Sequence, residues 1–342
     1  MKLQSSLLDA TVHISEPERV LVLNSAPDPC VRHLMERRSS SSIASGKVIL
    51  AEDSVASANT LLHIAPERVQ HVAFHDYTLH YVEGEFDVAL MNLLYQPSNA
   101  WMTYGVDLAA GALREGGVLY VAGAKERGIL TIGKYIQTTL GNCETLEISK
   151  GQRVLSAVKS RDLEPRTKFE PLKSFAENKL DAGTRLLLGA LEVRSTDKAL
   201  DLGCGAGFIG LHIARLAYEG HVTMLDVSLA AVAASQQASA EQGFTNVRVL
   251  PSDGARAILS ERFDLVVTNP PFHQGGVQTT EVAERFIHEA AHILQPKGRF
   301  YLVANRFLKY EPVLRACFQR VEEVAGDSKF KVLRATHPSR NA

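Results

Sequence analysis

Apolar positions in the second half of the chain fall into short strand-length runs, separated by stretches whose apolar residues recur at helical spacing. DKALDL at 197–202 reads as a strand, and CGAGFIGLHIARLAYEG after it as a glycine turn opening an amphipathic helix. HVTMLDVS (221–228), NVRVLPSD (246–253) and FDLVVTNPPF (263–272) read as further strands, the last ending on two prolines. AAVAASQQASAEQG and VAERFIHEAAHIL read as helices, and GRFYLVAN and FKVLRATH as closing strands. Strands alternating with helices predict a mainly parallel sheet covered on both faces.

The first half repeats this plan. RVLVLNSAP aligns with KALDLGCGA at an offset of 200 − 23 = 177, FDVALMNLLYQ with FDLVVTNPPFHQ at 263 − 86 = 177, and FHD (74–76) with PSD (251–253) at 177. LREGGVLYVAG and LQPKGRFYLVA match at 294 − 113 = 181. A nearly constant offset predicts tandem duplication of one Rossmann-like α/β domain. The expected division is residues 1–160 and 161–342, joined by a linker from about Ser160 to Pro171 that contains Pro165. The copies differ where chemistry is expected. The first has NSAPDP and NLLY where the second has GCGAG and NPPF, so the first copy reads as degenerate and the second as catalytic.

Composition narrows the class. With 342 residues, 45% apolar and 22% charged, the chain is expected to be a soluble globular protein with two cores. A net charge of −1 makes no demand for a nucleic-acid partner. Cys30, Cys143, Cys204 and Cys317 are scattered without a C-x-x-C, so neither a disulfide framework nor a metal site is expected, and a reducing cytoplasm fits. No signal peptide or membrane-spanning run is visible. A monomer is expected.

Four strand ends carry candidate chemistry. In Asp201–Gly207, Gly203, Gly205 and Gly207 permit a tight turn and close approach of a ligand. The spacing is G-x-G-x-G, and an acid sits in the turn. Both features disfavour a dinucleotide pyrophosphate and suit a ligand with a cationic amino-acid end. Asp226 ends the next strand, where a carboxylate can accept ribose hydroxyls; the alternative is a helix cap, a role that Ser228 fills better. Asp253 ends the third and can accept from an adenine amino group, or serve only as a turn residue. Asn269–Phe272 is the sharpest signal. Two prolines remove two amide donors and leave outward carbonyls. The Asn269 side-chain oxygen and the Pro270 carbonyl can then accept from a planar NH2 group, while Phe272 stacks on its ring. Pro271 completes the motif. Phe175–Leu188 is predicted as a helix closing over the cofactor, with Asp181, Gly183 and Thr184 near its start; the alternative is a packing helix.

Together these residues resemble the class I S-adenosyl-L-methionine methyltransferases, and NPP followed by an aromatic resembles the branch that methylates amino or amide nitrogens. Over nearly the whole chain the sequence resembles the ribosomal RNA small subunit methyltransferase C family, through DLGCGAG, NPPFH, the 175–188 segment, FKV near the end and GAKERG at 123–128. That resemblance implies methyl transfer to guanine N2 of 16S rRNA within the small subunit, in the cytoplasm. It implies that the cofactor is held by Phe175, Asp181, Gly183, Thr184, Asp201, Gly203, Cys204, Gly205, Asp226, Val227, Ser252, Asp253 and Asn269. Asn269, Pro270, Pro271 and Phe272 would present the target amine. Lys125 and Arg127, beside glycines in the first domain, are candidate RNA phosphate contacts. Competing readings are methylation of 23S rRNA guanine, of protein glutamine N5, or of DNA adenine. A non-catalytic RNA-binding module and a nicotinamide oxidoreductase are weaker readings.

Overall fold

The computed structural model describes all residues except 1, 41–45, 65–66, 68, 80–83, 161–179, 272, 275–276, 279 and 340–342, with side chains at 40, 77–79, 273–274 and 277–278 also outside the description. Two compact units, Met1–Pro171 and Leu172–Ala342, make up the chain. The expected linker falls largely outside the described residues. No described helix is long and apolar enough to cross a membrane.

The first unit is a seven-stranded sheet of β1 (Val20–Leu23), β2 (Val48–Ala51), β3 (Val69–Val72), β4 (Phe86–Asn92), β5 (Leu113–Ala124), β6 (Glu144–Ser149) and β7 (Gln152–Val158). Its order is β3-β2-β1-β4-β5-β7-β6, parallel through β5 and antiparallel over the last two. Helices α1 (Leu3–Thr11), α2 (Pro29–Ser40), α3 (Val55–Leu62), α4 (Asn99–Ala112) and α5 (Ile129–Leu140) accompany it. Every residue of β1 and β2 is buried, as the unbroken apolar runs of a sheet covered on both faces require.

The second unit repeats the order strand for strand. Its sheet runs β10 (Val247–Pro251), β9 (His221–Asp226), β8 (Lys198–Leu202), β11 (Phe263–Thr268), β14 (Leu294–Asn305), β16 (Phe330–Pro338), β15 (Phe318–Gly326). A two-residue hairpin, β12 (His273–Gln274) and β13 (Val277–Gln278), follows the Asn-Pro-Pro segment. Helices are α6 (Ala182–Ala190), α7 (Phe208–Leu216), α8 (Leu229–Glu241), α9 (Glu281–Ile293) and α10 (Glu311–Cys317). In α9 the buried Ala283, Phe286, Ile287 and Ala290 recur at three- and four-residue spacing and face the core with Leu202, Phe300 and Leu302. Burying each large side chain there contributes about 1.5–3 kcal/mol.

The sheet is mainly parallel, as expected, with β16 and β15 as an antiparallel edge; α10 and β15 (311–326) were not read as elements. Two expectations are corrected. The duplication is in register at 177 only for β4 and β11. Equivalent partners give 199 − 20 = 179 for β1 and β8, 222 − 48 = 174 for β2 and β9, and 247 − 69 = 178 for β3 and β10. Loop lengths differ between copies, so RVLVLNSAP and FHD shift by one or two positions. The helix expected from Phe175 starts, in its described part, at Ala182. Asp181 precedes it in extended conformation, and its side chain accepts from the Thr184 amide, which fixes the N-terminus there.

Candidate active site

The carboxyl ends of β8, β9, β10 and β11 bring the candidate residues to one edge of the second sheet. Gly205 has φ 53°, and a Cβ there would meet nothing within 4 Å, so this peptide borders open space. Gly203 (φ 78°) approaches the Phe286 ring, which a Cβ would meet at 3.3 Å. The turn is fastened from below and from the side. Asp201 is fully buried, and its Oδ2 accepts from Gly210 N at 2.7 Å in the first turn of α7. Its Oδ1 is buried with no partner among the described residues. Burial, opposed by the Gly210 bond and aided by the nearby Asp226, pushes the Asp201 carboxyl up to about 7. Sequence reasoning expected this acid at the ligand; the structure makes it the brace beneath the turn.

Asp226 ends β9 beside the turn. It is half-buried, its Oδ2 accepts from Gly205 N (2.8 Å) and its Oδ1 from Ser228 N (2.9 Å). Burial raises its pKa against those backbone donors. These backbone donors leave the carboxylate lone pairs to offer a ligand hydroxyl. Val227 beside it is half-buried. Cys204 is buried, its Sγ 3.7 Å from Ser235 Oγ, and burial raises its thiol pKa well above the usual range, so it is packing beneath the turn. Ser252 is also buried; its Oγ accepts from Ala257 N. Asp253 differs most from expectation. Its carboxylate is paired with Arg256 (2.8 Å) and Arg285 (2.6 Å), so an adenine amino group would share it with two guanidinium groups.

Asn269 follows directly on β11. Its Nδ2 donates to Thr184 Oγ1 at 2.9 Å and reaches Asp181 Oδ2 at 3.4 Å. Thr184 Oγ1 donates to Asp181 Oδ2 at 2.5 Å. The side chains of Asp181 and Thr184, expected at the cofactor, are therefore engaged with the candidate catalytic amide. Gly183 packs against Phe330, whose ring a Cβ would meet at 3.1 Å. Asn269, Pro270 and Pro271 line a cavity of about 420 Å3 together with Asp181, Leu308, Tyr310 and Phe330. That volume falls in the usual small-ligand range of roughly 300–1,000 Å3. Sequence reasoning missed Leu308 and Tyr310, which no motif marks; Phe330 stood in the FKV match without an assigned role. Phe175 and Phe272 lie outside the described residues.

The first unit keeps the frame and fills the site. Glu52 mirrors Asp226: it accepts from Ala26 N (2.9 Å) and Ser54 N (3.2 Å), while Ser54 and Ser228 each cap the next helix. Glu52 is buried, which pushes its carboxyl up to about 7. Buried Gln96 donates to the carbonyls of Leu23, Asn24 and Asn92, tying the loop ends together. Lys125 and Arg127 form a turn at the end of β5; Lys125 is exposed, and the Arg127 guanidinium approaches the Leu94 carbonyl at 3.5 Å. Among the described residues no group of three or more His, Cys, Asp or Glu could hold a metal.

A doubly wound sheet with a glycine turn, a β9 carboxylate and a strand-end Asn-Pro-Pro defines a class I methyltransferase. Consistent with this class, the methyltransferase small domain matches residues 170–334. The chain is 30% identical over 299 residues to ribosomal RNA small subunit methyltransferase C of Pseudoalteromonas atlantica, covering 82% of this chain and 84% of that protein. It is 32% identical over 275 residues to the same enzyme of Pseudomonas entomophila, covering 74% and 80%. A solved structure, the T. thermophilus 16S rRNA N2 G1207 methyltransferase in complex with AdoMet and guanosine, superposes with a TM-score of 0.83 at 30% identity, over 98% of this chain and 92% of that one. The chain belongs to the ribosomal RNA small subunit methyltransferase C family.

Proposed function

We propose that the second unit transfers a methyl group from S-adenosyl-L-methionine to the exocyclic N2 of a guanine in 16S rRNA, acting on the small ribosomal subunit in the cytoplasm. The observation that carries this reading is the Asn269 amide. Its nitrogen is held by Thr184, which leaves its oxygen, with the Pro270 carbonyl, as acceptor at the cavity. The similar T. thermophilus enzyme, solved with AdoMet and guanosine, supports the same pairing of ligands.

The residues fit the cofactor by the chemistry they offer. Asp226 keeps lone pairs for ribose hydroxyls, and half-buried Val227 offers an apolar edge for the adenine. Gly205 contributes backbone beside open space, and Gly203 and Cys204 complete the turn. Asp201 and Asp226 both have raised pKa values, and a cationic ligand end beside them lowers the cost of their charge. Ser252 and Asp253 would serve the adenine end.

When bound, the cofactor supplies a sulfonium methyl that is already a strong electrophile, so the protein mainly orients and excludes water. The guanine N2 lone pair is delocalised into its ring. Asn269 Oδ1 and the Pro270 carbonyl accept from the amine hydrogens and draw the nitrogen toward a pyramidal geometry, which frees the lone pair for in-line attack. Phe272 stacks on the base. A base-paired guanine must first leave its stack, which costs a few kcal/mol. Lys125 and Arg127 of the first unit contact rRNA phosphates.

Transfer of a labelled methyl group to unmodified small subunits, large subunits and free rRNA tests the proposal. N2-methylguanosine in 16S rRNA, lost in Asn269→Ala, is the expected result. Label in 23S rRNA, in protein glutamine, or in no acceptor would overturn it.

A further inference from the structure

We propose that Thr184 and Asp181 are positioning residues that fix the Asn269 amide with its oxygen toward the target amine, and that Pro271 is required because it lacks the N–H that would otherwise occupy that oxygen. The inference deepens the reading of Asn269 as acceptor of the target amine and rests on it.

The first part follows from donor and acceptor bookkeeping. An ionised carboxylate only accepts. Asp181 Oδ2 therefore forces the 2.5 Å contact to run from the Thr184 hydroxyl to the carboxylate. That hydroxyl is left with lone pairs only, so the atom of Asn269 that faces it at 2.9 Å must be the donating Nδ2. The same polarity holds at the 3.4 Å approach of Asn269 Nδ2 to Asp181 Oδ2. Turning the amide over would set its oxygen against two acceptors or break the charge-assisted bond, the stronger of the set. Asp181 is itself locked, because its Oδ1 accepts from Thr184 N as the cap of α6. The helix terminus, the hydroxyl and the amide form one relay of fixed direction.

The second part comes from the duplicated site. Asn92 is the counterpart of Asn269, and its Nδ2 is held in the same way, donating to Asp28 Oδ2 (2.6 Å) and approaching Ser5 Oγ (3.4 Å), which itself donates to Asp28 (2.8 Å). Its oxygen, however, is consumed. Asn92 Oδ1 accepts from Leu94 N at 2.9 Å and from Gln4 Nε2. Leu94 stands two residues after the asparagine, where the second unit has Pro271. Proline has no N–H. The local cap that silences Asn92 cannot form at Asn269. The first unit also shows that this backbone accepts a non-proline at the position, since Leu93–Tyr95 simply forms a short turn there.

The test uses the full chain with Thr184→Val, Thr184→Ser and Pro271→Ala. Valine keeps the volume and removes the hydroxyl; serine restores it. Misplacing a reacting partner costs on the order of 100-fold in rate. Thr184→Val and Pro271→Ala are each expected to lower kcat by about that factor, with S-adenosyl-L-methionine Kd from calorimetry within about threefold of wild type, and Thr184→Ser to recover most of kcat. An activity-independent readout separates this inference from the rRNA reading. Hydrogen exchange of the Asn269 side-chain NH2, followed by selectively labelled NMR, should be slow in wild type and Thr184→Ser and fast in Thr184→Val. Unchanged exchange in Thr184→Val overturns the relay even if no RNA substrate is found. Loss of kcat together with cofactor affinity would instead assign Thr184 to the cofactor, and wild-type kcat in Pro271→Ala would overturn the role of the second proline.

Discussion

Asp201 makes a pH-dependent prediction whose sign and size follow from its surroundings. The carboxyl is fully buried, one oxygen accepts from Gly210 N at 2.7 Å, and the other has no partner among the described residues. Its folded pKa of about 7 stands above the ordinary 3.8. Between those values the native state binds a proton that the unfolded chain has released, so stability is highest below about pH 4 and falls as pH rises toward 7. A shift of about 3 units corresponds to at most about 4 kcal/mol, of which about 2 kcal/mol is lost between pH 5 and 7, and the curve flattens by about pH 8.

Asp201→Asn keeps the shape and an acceptor for Gly210 while removing the charge. The variant's stability should not follow this titration, so from pH 5 to pH 8 it should gain about 3 kcal/mol on wild type. The assay is urea unfolding followed by circular dichroism at pH 5, 6, 7 and 8. The single tryptophan, Trp101, lies in the first unit, so its fluorescence reports that unit separately. Buried Glu52 in the first unit also titrates at about 7, but it is common to both proteins and cancels in the difference. A wild-type minus variant difference that stays constant from pH 5 to 8 would mean that Asp201 is charged in the fold, which refutes the account of its unpartnered oxygen.

Two further outcomes are expected. Arg299 and Asp197 form an ion pair with side chains only 8% and 2% exposed, so Asp197→Ala should strand a buried guanidinium and cost about 3–5 kcal/mol, read as a lowered urea midpoint of the second unit, whereas a loss under 1 kcal/mol would show that the pair is solvated. Phe307 is 61% exposed on a turn closed by Leu308 N to Asn305 O and pinned by Arg306 N to Lys329 O, next to two residues that line the target cavity. Base–aromatic stacking contributes about 1–3 kcal/mol, so Phe307→Ala should raise KM for the ribosomal substrate on the order of tenfold while leaving cofactor Kd unchanged; an unchanged KM would remove the ring from RNA contact.

Much of the site was legible because the chemistry sits at strand ends, where the chain itself fixes what is presented. Asn269, Pro270, Gly205 and Asp226 could be named because a glycine, a proline or an acid at the end of an apolar run has few local uses. What was not legible depends on direction or on distant partners. A strand-end acid can point beneath the turn or across it, and sequence spacing does not distinguish Asp201 from Asp226. Asp253 looked free because its partner Arg285 lies 32 residues on, in α9, and only folding brings them to 2.6 Å. The cavity wall formed by Leu308, Tyr310 and Phe330 is contributed from the β14–α10 connection and the start of β16. Nothing in an apolar residue's neighbours along the chain says which cavity it will line.

The duplicated units differ less in what they contain than in what they leave unsatisfied. Both keep a strand-end asparagine held through its nitrogen by a hydroxyl and a carboxylate, and both keep an acid that gathers the turn amide and the next helix cap. In the first unit Gln4 and Leu94 take the asparagine oxygen, Gln96 takes the Leu23, Asn24 and Asn92 carbonyls, and Asn92 is fully buried. In the second unit residue 271 has no N–H, Gly205 faces open space, and Asp226 stays half-buried. An acceptor the chain does not use at a cavity is left to water or a ligand. The decay of the first site is thus self-consistent as a gain of internal bonds. The catalytic copy is the one in which proline at a single position prevents the polypeptide from taking for itself the oxygen meant for the substrate.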